Sequence, residues 1–152
     1  MNASDFIDFP FSIIYYFLMD RITKEQRSKL MSSVKAKNTM PEKIIRSLLF
    51  NSGFRFRLHV DSLPGKPDIV LTKYRTIFEV RGCFLHRHGC KKSTTPKTNE
   101  NYWREKFKEN VKRDRANEKA LERLGWKIII IWECELSDIA KLRDKILQTL
   151  KH

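Results

Sequence analysis

Two β-rich runs, Asp68-Ile69-Val70-Leu71 and Thr76-Ile77-Phe78-Glu79-Val80, flank a short polar segment centred on Lys73 and Tyr74. They predict a β-hairpin. With a loop symmetric about Lys73-Tyr74, whether of two or four residues, paired positions sum to 147. Asp68 then stands opposite Glu79, with Arg81 two residues on along the same face. The symmetry is an assumption, because Lys73-Tyr74 lacks the Asn-Gly chemistry of a tight primed turn. Like charges facing each other destabilise a sheet unless a cation lies between them, and Mg²⁺ accepts carboxylate oxygens and water. A lone pair of acids is more often a turn residue and a solvent-facing side chain. The residues that follow turn the reading toward a metal.

Cys83, His88 and Cys90 follow in the pattern C-x4-H-x-C, and Cys134 ends a distant apolar run. Three thiolates and one imidazole form a closed tetrahedral set suited to structural zinc, and a distant fourth ligand would tie the last strand to the hairpin. The alternative is a disulfide. Three cysteines are an odd count, and the admixture of histidine favours metal. His86 has the wrong parity to join these ligands in an extended segment, which leaves it for chemistry close to the carboxylates.

The net charge is +13, and the excess is concentrated. All 31 Lys and Arg lie after Met19 against 16 Asp and Glu, so residues 19–152 carry +15. A polyanion is the expected partner, and nucleic acid is favoured over a membrane because no basic amphipathic helix with a clean apolar face is evident. Residues 1–18 are aromatic-rich, with two acids and no basic residue. Their uncharged run is too short to span a bilayer and lacks the features of a signal peptide. They read as an extension outside the domain, either upstream of a true start at Met19 or an arm packed on it; residues 19–152 read as one domain.

Two capping boxes, Thr23-x-x-Gln26 and Thr39-x-x-Glu42, open helices to about Ala36 and to Ser52-Gly53. Phe54 to His59 predicts a strand, and Leu63-Pro64-Gly65-Lys66-Pro67 a turn that delivers Asp68. Asn101 to Leu124 predicts a long helix with Trp103, Phe107 and Val111 on one stripe and Gly125 as its stop. Trp126 to Trp132 predicts a fully buried strand, and Ser137 to Leu150 a closing helix. The order ααβββαβα gives an α/β fold, a mixed central sheet flanked by helices.

Four separated motifs occur in order: Leu63-Pro64-Gly65-Lys66-Pro67-Asp68; Gly82 to Cys90; Asn110-Val111-Lys112-Arg113-Asp114; and Gly125-Trp126 with Trp132-Glu133-Cys134. Together they closely resemble the very short patch repair (Vsr) DNA mismatch endonucleases, from about Asp20 to the end. The resemblance implies a restriction-endonuclease-like fold, structural Zn²⁺, catalytic Mg²⁺, and nicking of duplex DNA beside a T:G mismatch left by deamination of 5-methylcytosine. It further implies a bacterial cytoplasmic monomer with no membrane association, working near other mismatch-repair proteins. Asp68 matches the metal-binding aspartate, and Val80 the residue that offers its backbone carbonyl to the metal. His86 matches the catalytic histidine and Glu42 an assisting glutamate, although Glu42 serves equally well as the partner of Thr39 in its capping box. Cys83, His88, Cys90 and Cys134 match the zinc ligands. Phe84 and Trp103 match aromatic wedges inserted beside the mismatch, and Met31 a further wedge; for Trp103 and Met31 a core role is the competing reading.

Two positions depart from the family pattern. Leu85 replaces a usual tryptophan, which keeps an apolar wedge and removes its stacking face. Glu79-Val80-Arg81 restores the acid-x-base signature of restriction-type nucleases, so Glu79 is expected as a second metal-binding carboxylate. The alternatives are a restriction-type DNA nuclease of different specificity, which would cut matched duplex, and a non-catalytic zinc-bearing DNA-binding module, which would not cut at all.

Overall fold

The computed structural model describes residues 37–97 and 99–150, together with Thr23, Glu25, Gln26 and Lys29. Met31 and the 1–18 extension lie outside the described residues. Thr23 and Gln26 close the first capping box, the Thr23 amide donating to Gln26 Oε1 at 3.0 Å and the Gln26 amide to Thr23 Oγ1 at 3.3 Å. Thereafter come α1 (Met40–Asn51), β1 (Arg57–Leu58), β2 (Ile69–Leu71), β3 (Thr76–Arg81), α2 (Glu100–Arg123), β4 (Lys127–Trp132) and α3 (Ile139–Leu150). The sheet order is β1-β2-β3-β4, antiparallel across the first three strands and parallel between β3 and β4. A parallel step needs a long crossover, which α2 supplies.

The hairpin has the expected register. Ile69 pairs with Phe78, Val70 with Ile77 and Leu71 with Thr76. Its loop is the four-residue version, a 3-10 turn over Thr72–Tyr74 closed by Arg75 in the left-handed region (φ 46). From there the Arg75 side chain donates to the carbonyls of Leu124 and Gly125, capping the C-terminal end of α2.

Alternation along the strands sorts their side chains onto two faces. Ile69, Leu71, Phe78 and Ile131 pack with Ile45 and Leu49 of α1 and Leu142, Ile146 and Leu150 of α3. On the opposite face Val70 and Ile77 meet Leu121 of α2. The sheet is therefore sandwiched between helices. The turn before β2 is seated on α2 through Gly65 (φ +74), where a Cβ would come within 2.7 Å of Asn117 Nδ2.

Three expectations are corrected. The strand expected over Phe54–His59 is paired only at Arg57–Leu58; Phe54 and Phe56 pack against the core ahead of the ladder, and His59 takes a positive φ of 46 that ends it. The Trp126–Trp132 strand is not fully buried: only Ile131 is inaccessible, since β4 pairs with β3 alone among the described residues. The closing helix begins at Ile139, after a 3-10 turn over Glu133–Ser137.

Candidate active site and metal centre

Asp68 lies one residue before β2, where the ladder has just ended. Its side chain takes the place of a ladder partner, Oδ2 accepting the Val80 amide at 2.9 Å. In an extended strand the N–H and C=O of one residue point to the same neighbour, so the Val80 carbonyl also lies on the Asp68 side. Among the described residues no other hydrogen bond reaches the Asp68 carboxylate. Burial pushes its pKa from 3.8 up to about 6; the Val80 amide opposes this, and the charges of Glu42 and then Glu79 add to it.

Glu42 arrives from the first turn of α1. Pro41 in that turn needs no hydrogen-bond partner for its nitrogen, and Thr39 and Glu42 cap each other as the sequence pattern requires. His59 arrives from the end of β1, its amide donating to the Asp68 carbonyl at 3.4 Å. Glu42, His59 and Asp68 each offer a ligand atom, all within 4.8 Å of one another, and could hold a metal ion. His59 was not singled out in the sequence because only the β1–β2 pairing brings it beside Asp68.

Glu79 is opposite Asp68 in register, yet its carboxylate does not join that group. It is bound by Arg81, whose other arm reaches Glu118 of α2 at 2.6 Å. Burial alone would lower the Arg81 pKa, but Glu79 and Glu118 outweigh it and hold the guanidinium above its ordinary value. The expected convergence of Asp68, Glu79 and Arg81 is thus an ion pair between β3 and α2, with Asp68 turned toward α1 and β1.

His86 sits in the turn after β3, its amide bonded to the Gly82 carbonyl. Nδ1 lies 2.5 Å from Oδ2 of Asp114, on α2. Burial works to raise the Asp114 pKa, but the hydrogen bond and charge of His86, with Arg81 and Arg113, bring it below its ordinary value. Asp114 closes the Asn110-Val111-Lys112-Arg113-Asp114 motif, where the sequence alone assigns it no role. The signal was available: Trp103, Phe107, Asn110, Asp114 and Leu121 form the buried stripe of α2, and polar residues on such a stripe need partners. Asn110 finds its partner in the Leu85 carbonyl at 3.4 Å.

The expected cysteine and histidine ligands come together. Cys83, His88, Cys90 and Cys134 place their ligand atoms within 4.8 Å of one another. No cysteine is bridged, and His88 Nδ1 lies 3.3 Å from Cys134 Sγ and 3.7 Å from Cys83 Sγ. Trp132 stacks on the His88 ring at 4.3 Å and 16°. Burial pushes the Cys83 thiol up to about 12. Burial also acts to raise Cys90, but hydrogen bonds from the Lys92 amide, His88 and the other thiols bring it down to about 7. Four N/S donors at this spacing fit a closed tetrahedral metal site.

Beside this cluster Phe84, Trp103 and Phe107 form a buried aromatic group, with Phe84 edge-on to both rings (5.3 Å and 5.0 Å) and Leu85 against it. The two aromatic wedge candidates are therefore folded onto each other. Next to them a cleft of about 610 Å³ has Phe107, Val111 and Ala116 in its lining and Arg87, Lys108, Lys112, Arg115 and Lys119 around them. Arg87 covers Phe107 at 4.5 Å. No described helix is long and apolar enough to cross a membrane.

Residues 19–92 match the family described as DNA mismatch endonuclease Vsr. The chain is 45% identical to the type II nicking enzyme V.XorIIP of Xanthomonas oryzae, over 88% of this chain and 98% of that protein. It is 43% identical to V.NmeAIP of Neisseria meningitidis, over 85% and 92% respectively. With the DNA mismatch endonuclease Vsr of Escherichia coli it shares 42% identity over 82% of this chain and 80% of that one. Among solved structures, the catalytic domain of the homing endonuclease I-Bth0305I superposes with a TM-score of 0.50 at 19% identity, covering 73% of this chain and 93% of that one. That likeness concerns the fold.

Proposed function

Because the chain belongs to the Vsr family of DNA nicking endonucleases, we propose that it nicks one strand of duplex DNA beside a T:G mismatch, using Mg²⁺ at Asp68. One observation carries this reading: the half-buried Asp68 carboxylate takes the Val80 amide at the end of β3 and keeps an open oxygen, and His86, in the turn that follows β3, is oriented by the Asp114 carboxylate. Asp68 and the Val80 carbonyl would hold the ion, and the fit is chemical, since a half-buried carboxyl whose pKa is raised gains from a cation. A divalent ion bound there would supply positive charge at the scissile phosphate and favour deprotonation of the attacking water.

Asp114 fixes His86 with its Nδ1 proton facing the carboxylate, which leaves Nε2 to take or give a proton at the reacting oxygen. Glu42 assists by its charge and by holding its neighbours in place. Glu79 adds a second carboxylate whose charge falls on Asp68; Arg81 holds its Oε2, and Oε1 is the atom that would serve as a ligand. Cys83, His88, Cys90 and Cys134 would hold Zn²⁺, which would pin the turn after β3, and with it His86, to the end of β4. Phe84, Leu85 and Trp103 enter the base stack once their cluster opens on DNA, and Met31 joins them. The cationic cleft along α2 takes the phosphate backbone.

The test is nicking of labelled duplexes that differ in one pair, T:G against T:A, with Mg²⁺, for the wild type and Asp68→Ala. Cutting of the T:G duplex alone, lost in Asp68→Ala, is the expected result. No cut in any context would leave a DNA-binding module. A second reading, nicking at another kind of site, draws on Leu85 and on relatives named as type II nicking enzymes. Preferential cutting of a different mispair or of matched duplex would select it.

A further inference from the structure

The Glu42–His59–Asp68 group already contains a cation. Arg46, one turn after Glu42 on α1, places NH2 2.6 Å from Glu42 Oε2 and 3.1 Å from His59 Nε2, while NH1 donates to Asn38 Oδ1 at 2.6 Å. A carboxylate accepts about four hydrogen bonds, and those of Glu42 are taken. Oε1 accepts the Thr39 amide and hydroxyl at 3.3 and 2.8 Å, and Oε2 the Asn38 amide at 3.0 Å and Arg46. A guanidinium only donates, so His59 Nε2 accepts and the proton of the neutral ring resides on Nδ1. Neither nitrogen then has a free lone pair for a metal.

We propose that Arg46 is the resident cation of this site, closing the Glu42–His59 half to divalent ions so that the protein binds one catalytic ion, at Asp68. The inference rests on the reading of Asp68 as a metal ligand. It also explains how Glu42 can be both a helix cap and a member of the site: it holds Arg46, and Arg46 supplies a positive charge there without a second ion. An ion shared by all three ligand atoms would lie within about 5 Å of the guanidinium. Even at the dielectric constant of water, repulsion between a divalent ion and one positive charge at that distance weakens binding by at least about tenfold.

The experiment is Mn²⁺ titration of the full chain, its thiolate site loaded with zinc, read by electron paramagnetic resonance. Wild type should bind one Mn²⁺, lost in Asp68→Asn, with no nitrogen coupling in pulsed spectra that depends on His59. Arg46→Gln should bind Mn²⁺ at least about tenfold more tightly and acquire an imidazole coupling that His59→Ala removes. Arg46→Lys, which keeps the charge, should stay near wild type. A His59-dependent coupling in wild type overturns the proposal without recourse to any variant at Arg46. So does unchanged or weaker binding in a natively folded Arg46→Gln. Binding that survives Asp68→Asn instead overturns the metal reading of Asp68, and the proposal with it.

Discussion

Replacing Asp68 by Asn should stabilise the protein while abolishing nicking. In the folded chain burial holds the Asp68 carboxyl at about 6, against an ordinary 3.8. At pH 8 it is ionised in both the folded and unfolded states, and each tenfold difference in proton affinity corresponds to about 1.4 kcal/mol. The gap from 3.8 to about 6 therefore amounts to about 3 kcal/mol of destabilisation by the ionised side chain. Asparagine removes the charge and keeps an oxygen for the Val80 amide. In metal-free buffer at pH 8, Asp68→Asn should raise the melting temperature by about 6–12 °C, on the usual scaling for a chain of this size. The sign of the pH dependence follows from a raised folded-state pKa. The folded form binds the proton more tightly, so wild type gains on the variant as pH falls through about 6, and the difference is gone below about 3.8. Mg²⁺ should close the gap from the other side, stabilising wild type by about 2.7 kcal/mol at a hundred times its Kd and leaving the variant unmoved. Thermal melts at pH 8, 6 and 4, with and without Mg²⁺, measure all of this. A variant no more stable than wild type at pH 8, or a gain independent of pH, refutes the reasoning.

His86→Ala should reduce single-turnover nicking by about 10²- to 10⁴-fold, as loss of a proton-transfer group does, and Asp114→Asn by about 10- to 100-fold. Similar Kd values for mismatched DNA in these two variants would place the loss in chemistry; a large rise in Kd would count against the assignment. Glu79→Ala leaves the buried Arg81 with Glu118 alone and should destabilise the fold by about 1–3 kcal/mol in denaturant titrations. Mn²⁺ affinity should hardly change, and a large fall would instead make Glu79 a ligand. With a structural ion held by Cys83, His88, Cys90 and Cys134 as proposed, its removal by a chelator, or Cys134→Ser, should lower the melting temperature and free thiols to titration. Equal thermal stability before and after chelation would argue against a structural ion. Lys112→Ala with Arg115→Ala should flatten the slope of log Kd for duplex DNA against log salt by about 2. An unchanged slope would move the DNA track off this cleft.

What could be read from the chain divides along a physical line. Register was legible because a loop symmetric about Lys73-Tyr74 pairs positions that sum to 147, and the hairpin has that pairing, Ile69 with Phe78 and Leu71 with Thr76. The four candidate metal ligands were legible because thiols and imidazoles at that spacing have few other uses, and Cys134 was the remaining cysteine. The partner of Asp68 was not. Register sets which residues are opposite, but a carboxylate at the end of a ladder can swing into the position of a missing partner, and Asp68 does so by accepting the Val80 amide. Glu79 is then left to the nearest cation on its own strand, Arg81, and Asp68 meets residues from α1 and β1 that no local pattern associates with it.

The same distinction explains why the site is assembled as it is. Asp68, Val80 and His86 lie near the strand end where β3 leaves the sheet, and each meets groups far away in sequence: Val80 the Asp68 carboxylate, Asp68 also Glu42 and His59, and His86 Asp114, while Cys134 joins the cluster of Cys83 and His88. The ordering of these side chains is therefore a property of the whole sandwich. A substitution that loosens α2 against the sheet, such as Glu118→Ala at the far arm of Arg81, should disturb Asp114 and His86 without touching either. Conversely, charge is concentrated where folding gains least from it, since burial and the charges of Glu42 and Glu79 outweigh the Val80 amide and Arg46 in their effect on the Asp68 carboxylate. That unfavourable placement in the free protein is what makes the carboxylate a strong point of attachment for an ion.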